Sequence, residues 1–199
     1  VDGTNPRGDL IKETKEETMK NTYQIDAAHS HVQFSVRHLM VSNVRGTFSG
    51  VTGTVSYDPD KPAETTIDAT IDVNSVNTND EKRDGHLKSA DFFDVAQYPT
   101  MVFKSKVVEA GDDQHKVIGD LTLHGVTKEV SLLVEEVSGE SKDPWGNIKI
   151  GASVKGKIKR SDFGLIWNAA LETGGVVIGD DVKLEFDIEF LKSAQGATA

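Results

Sequence analysis

Through most of this chain, apolar and polar residues trade places at every step. From His31 to Arg37, Val32, Phe34 and Val36 fall on one side and Gln33, Ser35 and Arg37 on the other. Period two over this length marks a strand with one face buried and one wet. The rhythm returns from Thr65 to Val73, where Ile67, Ala69, Ile71 and Val73 oppose Asp68, Thr70 and Asp72. It runs from Ile148 to Arg160, where Ile148, Ile150, Ala152, Val154 and Ile158 oppose Lys149, Lys155, Lys157 and Lys159. It is clearest near the end, with Val182, Leu184, Phe186, Ile188 and Phe190 against Lys183, Glu185, Asp187 and Glu189. Thr100 to Val108, His115 to Leu123 and Thr127 to Val137 also read as strands, and His124-Gly125-Val126 is the tight connection between the last two. Val44 to Tyr57 reads as one long strand, with Gly46, Gly50 and Gly53 suited to a sharp bend or bulge.

About eight strands joined mostly by short turns imply antiparallel neighbours. Each has a single apolar face, and the chain offers almost nothing else to cover it. The sheet must therefore close on itself or fold into a sandwich. Length and mid-strand glycines favour closure. The expected fold is all-β, an eight-stranded antiparallel barrel with a short helical insertion. At ~8 strands the interior is just wide enough to be filled by side chains or to hold one small ligand. The inward set is rich in Val, Ile and Ala, which favours a continuous apolar channel.

The exception to the alternation is Thr78 to Phe103, the one stretch that reads as helix. Thr78 with Glu81 fits a capping box. Pro99 ends any helix by Tyr98. The Phe92-Phe93 pair needs burial, and the open end of the barrel is the expected place. Arg83, Asp84 and His86 form a charge cluster beside it. They suit either the orientation of a ligand head group or an ion pair that ties the segment to the barrel through Asp162 or Arg160. Phe163 and Trp167, in RSDFGLIWN, either cover a barrel end or touch a ligand.

Composition narrows the function. A net charge of -10 repels phosphate backbones and makes nucleic acid an unfavourable partner. There are no cysteines, so disulfides and thiolate metal sites are excluded. No apolar run approaches the ~18 residues of a membrane span. No nucleophile elbow, phosphate loop, dinucleotide fingerprint or HExxH pair occurs. His29 and His31, joined in space by His38 and His86, have the chemistry to hold zinc, but a turn leading into the first long strand explains the pair as well. Asp26, His29 and Ser30 are residue types of a hydrolytic triad, yet too close in sequence to aim at one point. The expectation is no cofactor, no metal and no catalysis. Residues 1–18 are polar and unpatterned, without a basic-then-apolar leader. We read them as an expression-derived or disordered arm before a barrel domain over residues 19–199, with Met19 as the start. This favours the cytoplasm, and a periplasmic or secreted setting if a leader has been removed.

Several segments together resemble the YceI-like, polyisoprenoid-binding family: YQIDAAHSHVQFSVRH, VRGTFSGVTGTV, RDGHLKSADFFDVAQYPTMVFKS, IGDLTLHGVTKEVSL and RSDFGL. Their order and spacing cover nearly all of Tyr23 to Leu191. The resemblance implies a lipocalin-like barrel whose apolar channel holds a polyprenyl chain, as in isoprenoid quinones or related amphiphiles, and no enzymatic activity. The expected ligand contacts are Phe34, Val36, Phe48, Ile67, Ile71, Phe103, Leu121, Leu132, Ile150, Val154 and Ile188 by strand parity. Arg83, His86, Phe92, Phe93 and Phe163 join them at the ends. Two other readings compete: a structural or interaction barrel with a filled core, and a lipid-modifying enzyme using His86, Asp84 and Arg83. A homodimer through an edge strand or the barrel mouth is compatible with all three.

Overall fold

The computed structural model describes residues 21–112, 114–170 and 175–193. The expected arm over residues 1–18 lies outside the described residues. The strands are β1 (Asn21–Ile25), β2 (His31–His38), β3 (Ser42–Phe48), β4 (Val51–Tyr57), β5 (Thr66–Asp72), β6 (Thr100–Ala110) and β7 (His115–Leu123). They continue with β8 (Val126–Val137), the two-residue β9 (Ser141–Lys142), β10 (Ile148–Lys159) and β11 (Ile178–Lys192). All pair antiparallel with their neighbours. One α-helix, α1 (Glu81–Lys88), lies between β5 and β6.

The barrel closes through β11. One edge pairs with β10, placing Val154 opposite Phe186. The other pairs with β2, placing Phe34 opposite Leu184, and then with β1. β1 and β2 are two halves of one stave, broken by a 3₁₀ turn over Ala27–His29, and β3 and β4 are two halves of another. Taking each pair as one stave, and β9 as an annex to β10, the barrel has eight.

The break between β3 and β4 shows how sequence sets shape. The Ser75 hydroxyl accepts from the N–H groups of Ser49 and Gly50 and donates to the Asp72 carbonyl. That pins the bend. Beyond it, β3 leaves β5, and its outer edge meets only Asn77, paired with Thr47 through both backbone bonds. The gap is covered by the β5–β6 connection, which carries α1. A second piece of turn chemistry fixes β7 to β8. His124 and Gly125 both have positive φ, 52° and 72°, as a two-residue hairpin turn that matches strand twist requires.

The helix itself starts differently from the capping-box reading. Its N-cap is Asp80, whose carboxylate accepts from the Arg83 N–H. Thr78 lies two residues earlier, buried, with its hydroxyl bonded to the Asp84 carboxylate. Aspartate outranks threonine as an N-cap, and here it takes the position. The outward lysines of β10 differ in their surroundings. Lys155 and Lys157 are exposed, whereas Lys149 is sunk between Asp26 and Glu189.

The interior is divided. In one half, Tyr23, Val55 and Ile150 pack with Tyr57, Ile67 and Phe190. Beside them, Val108, Val117 and Val134 pack with Phe103, Leu132 and Val154. A bulge in β6 after Ser105 lets Val108 turn inward and leaves Val107 exposed. These side chains pack on one another, and the cavity lies in the other half, towards β3 and α1.

Candidate functional site

The half towards β3 and α1 holds an apolar cavity of about 500 Å³. That volume sits within the ~300–1,000 Å³ usual for ligand pockets. Its wall is built by strand alternation. β2 contributes Val32, Phe34 and Val36, β11 contributes Val182, Leu184 and Phe186, and the other strands add Val44, Phe48, Ile71, Met101, Leu121, Leu123 and Ile158. Gly46 permits the wall to curve inward here, because a Cβ on it would collide with the Phe34 ring.

Two aromatic groups organise the space. Inside, Phe34 meets Phe48 with ring centroids 5.5 Å apart, and Phe48 meets Phe93 edge-on at 5.9 Å. At the mouth, His86 stands edge-on to both Phe92 and Trp167, at 5.0 and 4.9 Å. The Phe92-Phe93 pair therefore splits its work. Phe93 reaches into the cavity, and Phe92 locks α1 to the segment after β10.

The polar side chains of the lining are Gln33, His38, Asp80, Lys82, Arg83, His86 and Arg160, and four of these seven come from α1 and its N-cap. Arg83 donates to the Thr78 hydroxyl and carbonyl, at 2.7 and 2.9 Å, and sits 3.8 Å from Asp80. His86 pairs with Asp91 at 2.9 Å. The expected tether from this cluster to Asp162 or Arg160 is not made. Arg83 and Asp84 both turn back on Thr78, so the cluster organises its own segment. What ties the segment to the barrel is the stacking of His86 and Phe92 on Trp167.

Arg160 has a different task. It is buried, and its guanidinium donates to the carbonyls of Leu165, Trp167, Ile178 and Gly179. Burial pulls its pKa down and the nearby Asp180 carboxylate opposes that. Five N–H donors in a rigid fork suit a cluster of backbone acceptors that a lysine would leave partly unmet. Arg160 thus fixes the loop that presents Leu165 and Trp167 to the cavity.

Of the residues expected from the sequence, Phe34, Val36, Phe48, Ile71 and Leu121 line the cavity wall, and Arg83, His86, Phe92 and Phe93 line its mouth side. Ile67, Phe103, Leu132, Ile150 and Val154 belong to the packed clusters of the other half. Ile188 and Phe163 pack in the core against the cavity half, Phe163 almost fully buried. The sequence reading passed over Met101, Leu123, Ile158, Val182, Leu184 and Phe186. The same parity that marked Ile188 marks the last three. Arg160 carried no signal beyond its place in RSDFGL.

Elsewhere, Asp26, His29 and Glu189 bring ligating atoms within 4.8 Å of one another. Lys149 already sits among them, 3.1 Å from Asp26 and bonded to Glu189. Ser30 bonds to backbone at Asp26 and Glu189 rather than to His29, so Asp26, His29 and Ser30 form no relay. His31 pairs across from Asp187 on the strand, while His38 and His86 belong to the cavity lining. Among the described residues no helix is long and apolar enough to cross a membrane.

The chain is similar to known proteins over nearly all of the described barrel. The family model for the YceI-like domain matches residues 23–190. A UPF0312 protein of Staphylococcus aureus is 41% identical over 169 residues, covering 84% of this chain and 96% of the relative. Among solved structures, BcnA of Burkholderia cenocepacia superposes with a TM-score of 0.72 at 26% identity, covering 83% of this chain and 98% of that one. The YceI protein of Campylobacter jejuni gives 0.66 at 36% identity, covering 79% and 90%. A polyisoprenoid binding domain from Saccharophagus degradans shares the fold, with a TM-score of 0.63 at 22% identity, covering 86% and 98%. Barrel, helical insertion and sequence agree: the chain belongs to the YceI-like family.

Proposed function

We propose that the protein binds the tail of a long-chain isoprenoid lipid, an isoprenoid quinone or a similar amphiphile, in its half-barrel cavity and carries or stores it. The observation that carries this reading is the cavity itself: about 500 Å³ walled by aliphatic and aromatic side chains, with most of its polar groups on α1 and its N-cap. Each buried methylene-sized group of a tail contributes ~0.8 kcal/mol, so such a wall binds tightly with few polar contacts. The mouth supplies mainly donors, from Lys82, Arg83 and His86. Those suit a head group rich in acceptors, such as quinone oxygens. The Saccharophagus relative, described as a polyisoprenoid binding domain, is consistent with the same ligand class. Family and neighbours point to a binding protein rather than an enzyme.

The test is solvent extraction of the purified protein followed by mass spectrometry, together with titration by an isoprenoid quinone. Recovery of an intact isoprenoid, or saturable quinone binding, is the expected result. No lipid recovered and no quinone bound would end the carrier reading and leave a barrel with an empty hollow.

A further inference from the structure

Large apolar side chains left on the surface are not scattered evenly over this barrel. Leu39, Met40 and Val41 are exposed on the β2–β3 turn, Met40 at 57% and Val41 at 79%, and Ile166 is exposed at 74%. Val176 joins them at 39%. These residues come from three separate segments, yet they share one rim. The Leu39 N–H donates to the Val177 carbonyl, and Gly175 approaches the Met40 side chain. Ile166 stands between Leu165 and Trp167, both bonded to Arg160, which also bonds to Ile178 beside Val177. His38, Leu165, Trp167, Val177 and Ile178 all line the cavity. The exposed rim therefore borders the cavity wall, residue against residue, from outside to inside.

The turn that carries the rim is held in an unfavourable conformation. Leu39 and Met40 are consecutive non-glycine residues with positive φ, 50° and 58°. That region disfavours bulky side chains, and strain of this kind concentrates at functional sites. Arg37 braces the turn by donating to the Met40 carbonyl. Strain spent on presenting apolar side chains to water has no use in the free protein. It has one if water is not what they meet.

We propose that this rim is a docking surface for a lipid bilayer, seating the cavity mouth on the membrane. Apolar residues flanked by cations are the composition that inserts into a bilayer interface, and Arg37, Lys82 and Arg83 stand beside the rim and mouth. Continuity with the cavity selects a bilayer over a second copy of the chain, because only a bilayer supplies a tail that reaches the cavity without crossing water. The purpose of docking rests on the tail-binding reading; the docking itself is measured separately.

The experiment is flotation of the full chain with vesicles of phosphatidylcholine and phosphatidylglycerol. Met40→Asn combined with Ile166→Asp replaces two of the five rim residues, one on each side of the mouth, and asparagine tolerates positive φ, so the turn is relieved rather than broken. Trp145→Asp is the control: Trp145 is 84% exposed but precedes β10 at the opposite barrel end. The parent and the Trp145 variant are expected to float alike, and the rim variant to partition at least tenfold less. No flotation of the parent, or equal flotation of all three, overturns the proposal. So does a parent dimer in sedimentation that the rim variant dissociates while vesicle binding persists. Flotation that depends on the rim without quinone binding in solution strikes the carrier reading and leaves docking in place.

Discussion

Ile67 and Ile71 lie four residues apart on β5, both turned into the barrel, and they meet opposite surroundings. Ile71 lines the cavity, opposite Met101 on β6. Ile67 is packed between the cluster of Tyr23, Val55 and Ile150 and that of Val108, Val117 and Val134. Tryptophan at the two positions should separate binding from folding. Ile71→Trp has space to occupy, so its urea midpoint should stay near the parent's while affinity for a long-tailed quinone falls at least tenfold. Ile67→Trp has none and should cost about 1–3 kcal/mol in urea unfolding. Equal destabilisation by both would mean the cavity is not open in solution.

Removing Arg160 should unfasten the mouth. Arg160→Ala leaves four carbonyls short of a donor, and Arg160→Lys restores the charge without the fork. We expect the alanine variant to lose roughly 2–4 kcal/mol in chemical denaturation, in line with unsatisfied buried groups, and the lysine variant to recover only part. Trp167 emission should shift to the red in both, since its loop loses its anchor.

The contact of His86 with Trp167 joins α1 to the segment after β10 across 4.9 Å. A double-mutant cycle with alanine at both positions should give a coupling of about 0.5–1.5 kcal/mol, the range of edge-on aromatic pairs. Either single variant should release a bound quinone faster in stopped-flow exchange. A coupling near zero would show that α1 is held elsewhere.

Stability should fall at both ends of the pH scale, for different reasons. The His29 hydrogen bond, then Lys149, holds the Asp26 carboxyl below its ordinary range, and Lys192, then the Tyr23 hydroxyl, does the same for Glu140. A depressed carboxyl contributes stability that is full above its unfolded pKa of ~4 and is lost as pH falls through the folded value. Asp26→Asn should flatten that acid limb in pH-dependent thermal melts. Burial, then Glu140, pushes the Tyr23 phenol up. Its contribution is full below ~10 and is lost as pH rises through the folded value. Tyr23→Phe should flatten the alkaline limb and, because it removes a donor to Glu140, a smaller part of the acid limb.

The barrel was legible because alternation is a local signal: Val182 to Phe190 can be read inward and outward without knowing any partner. Closure was legible because one apolar face needs a cover and only one stretch, around Thr78 to Phe103, reads as helix. The division of the interior was not. Ile67 and Ile71 have the same parity and the same neighbours in sequence. Which of them faces empty space depends on the bend at Ser49-Gly50 and on where Tyr23 and Phe103 project, and these are contacts between distant segments. Strand β1 was also hidden, because five residues before a 3₁₀ turn give too few alternations to count. Arg160 looked like a charge at a strand end. Only the fold brings four carbonyls to it.

The packing of Tyr23, Ile150, Val108 and their neighbours across one half of the barrel stands against the inner end of the hollow. If the protein carries a hydrocarbon tail and no second exit opens there, donor and acceptor must take turns at one doorway, and transfer should follow ping-pong kinetics with a vacant protein as the go-between.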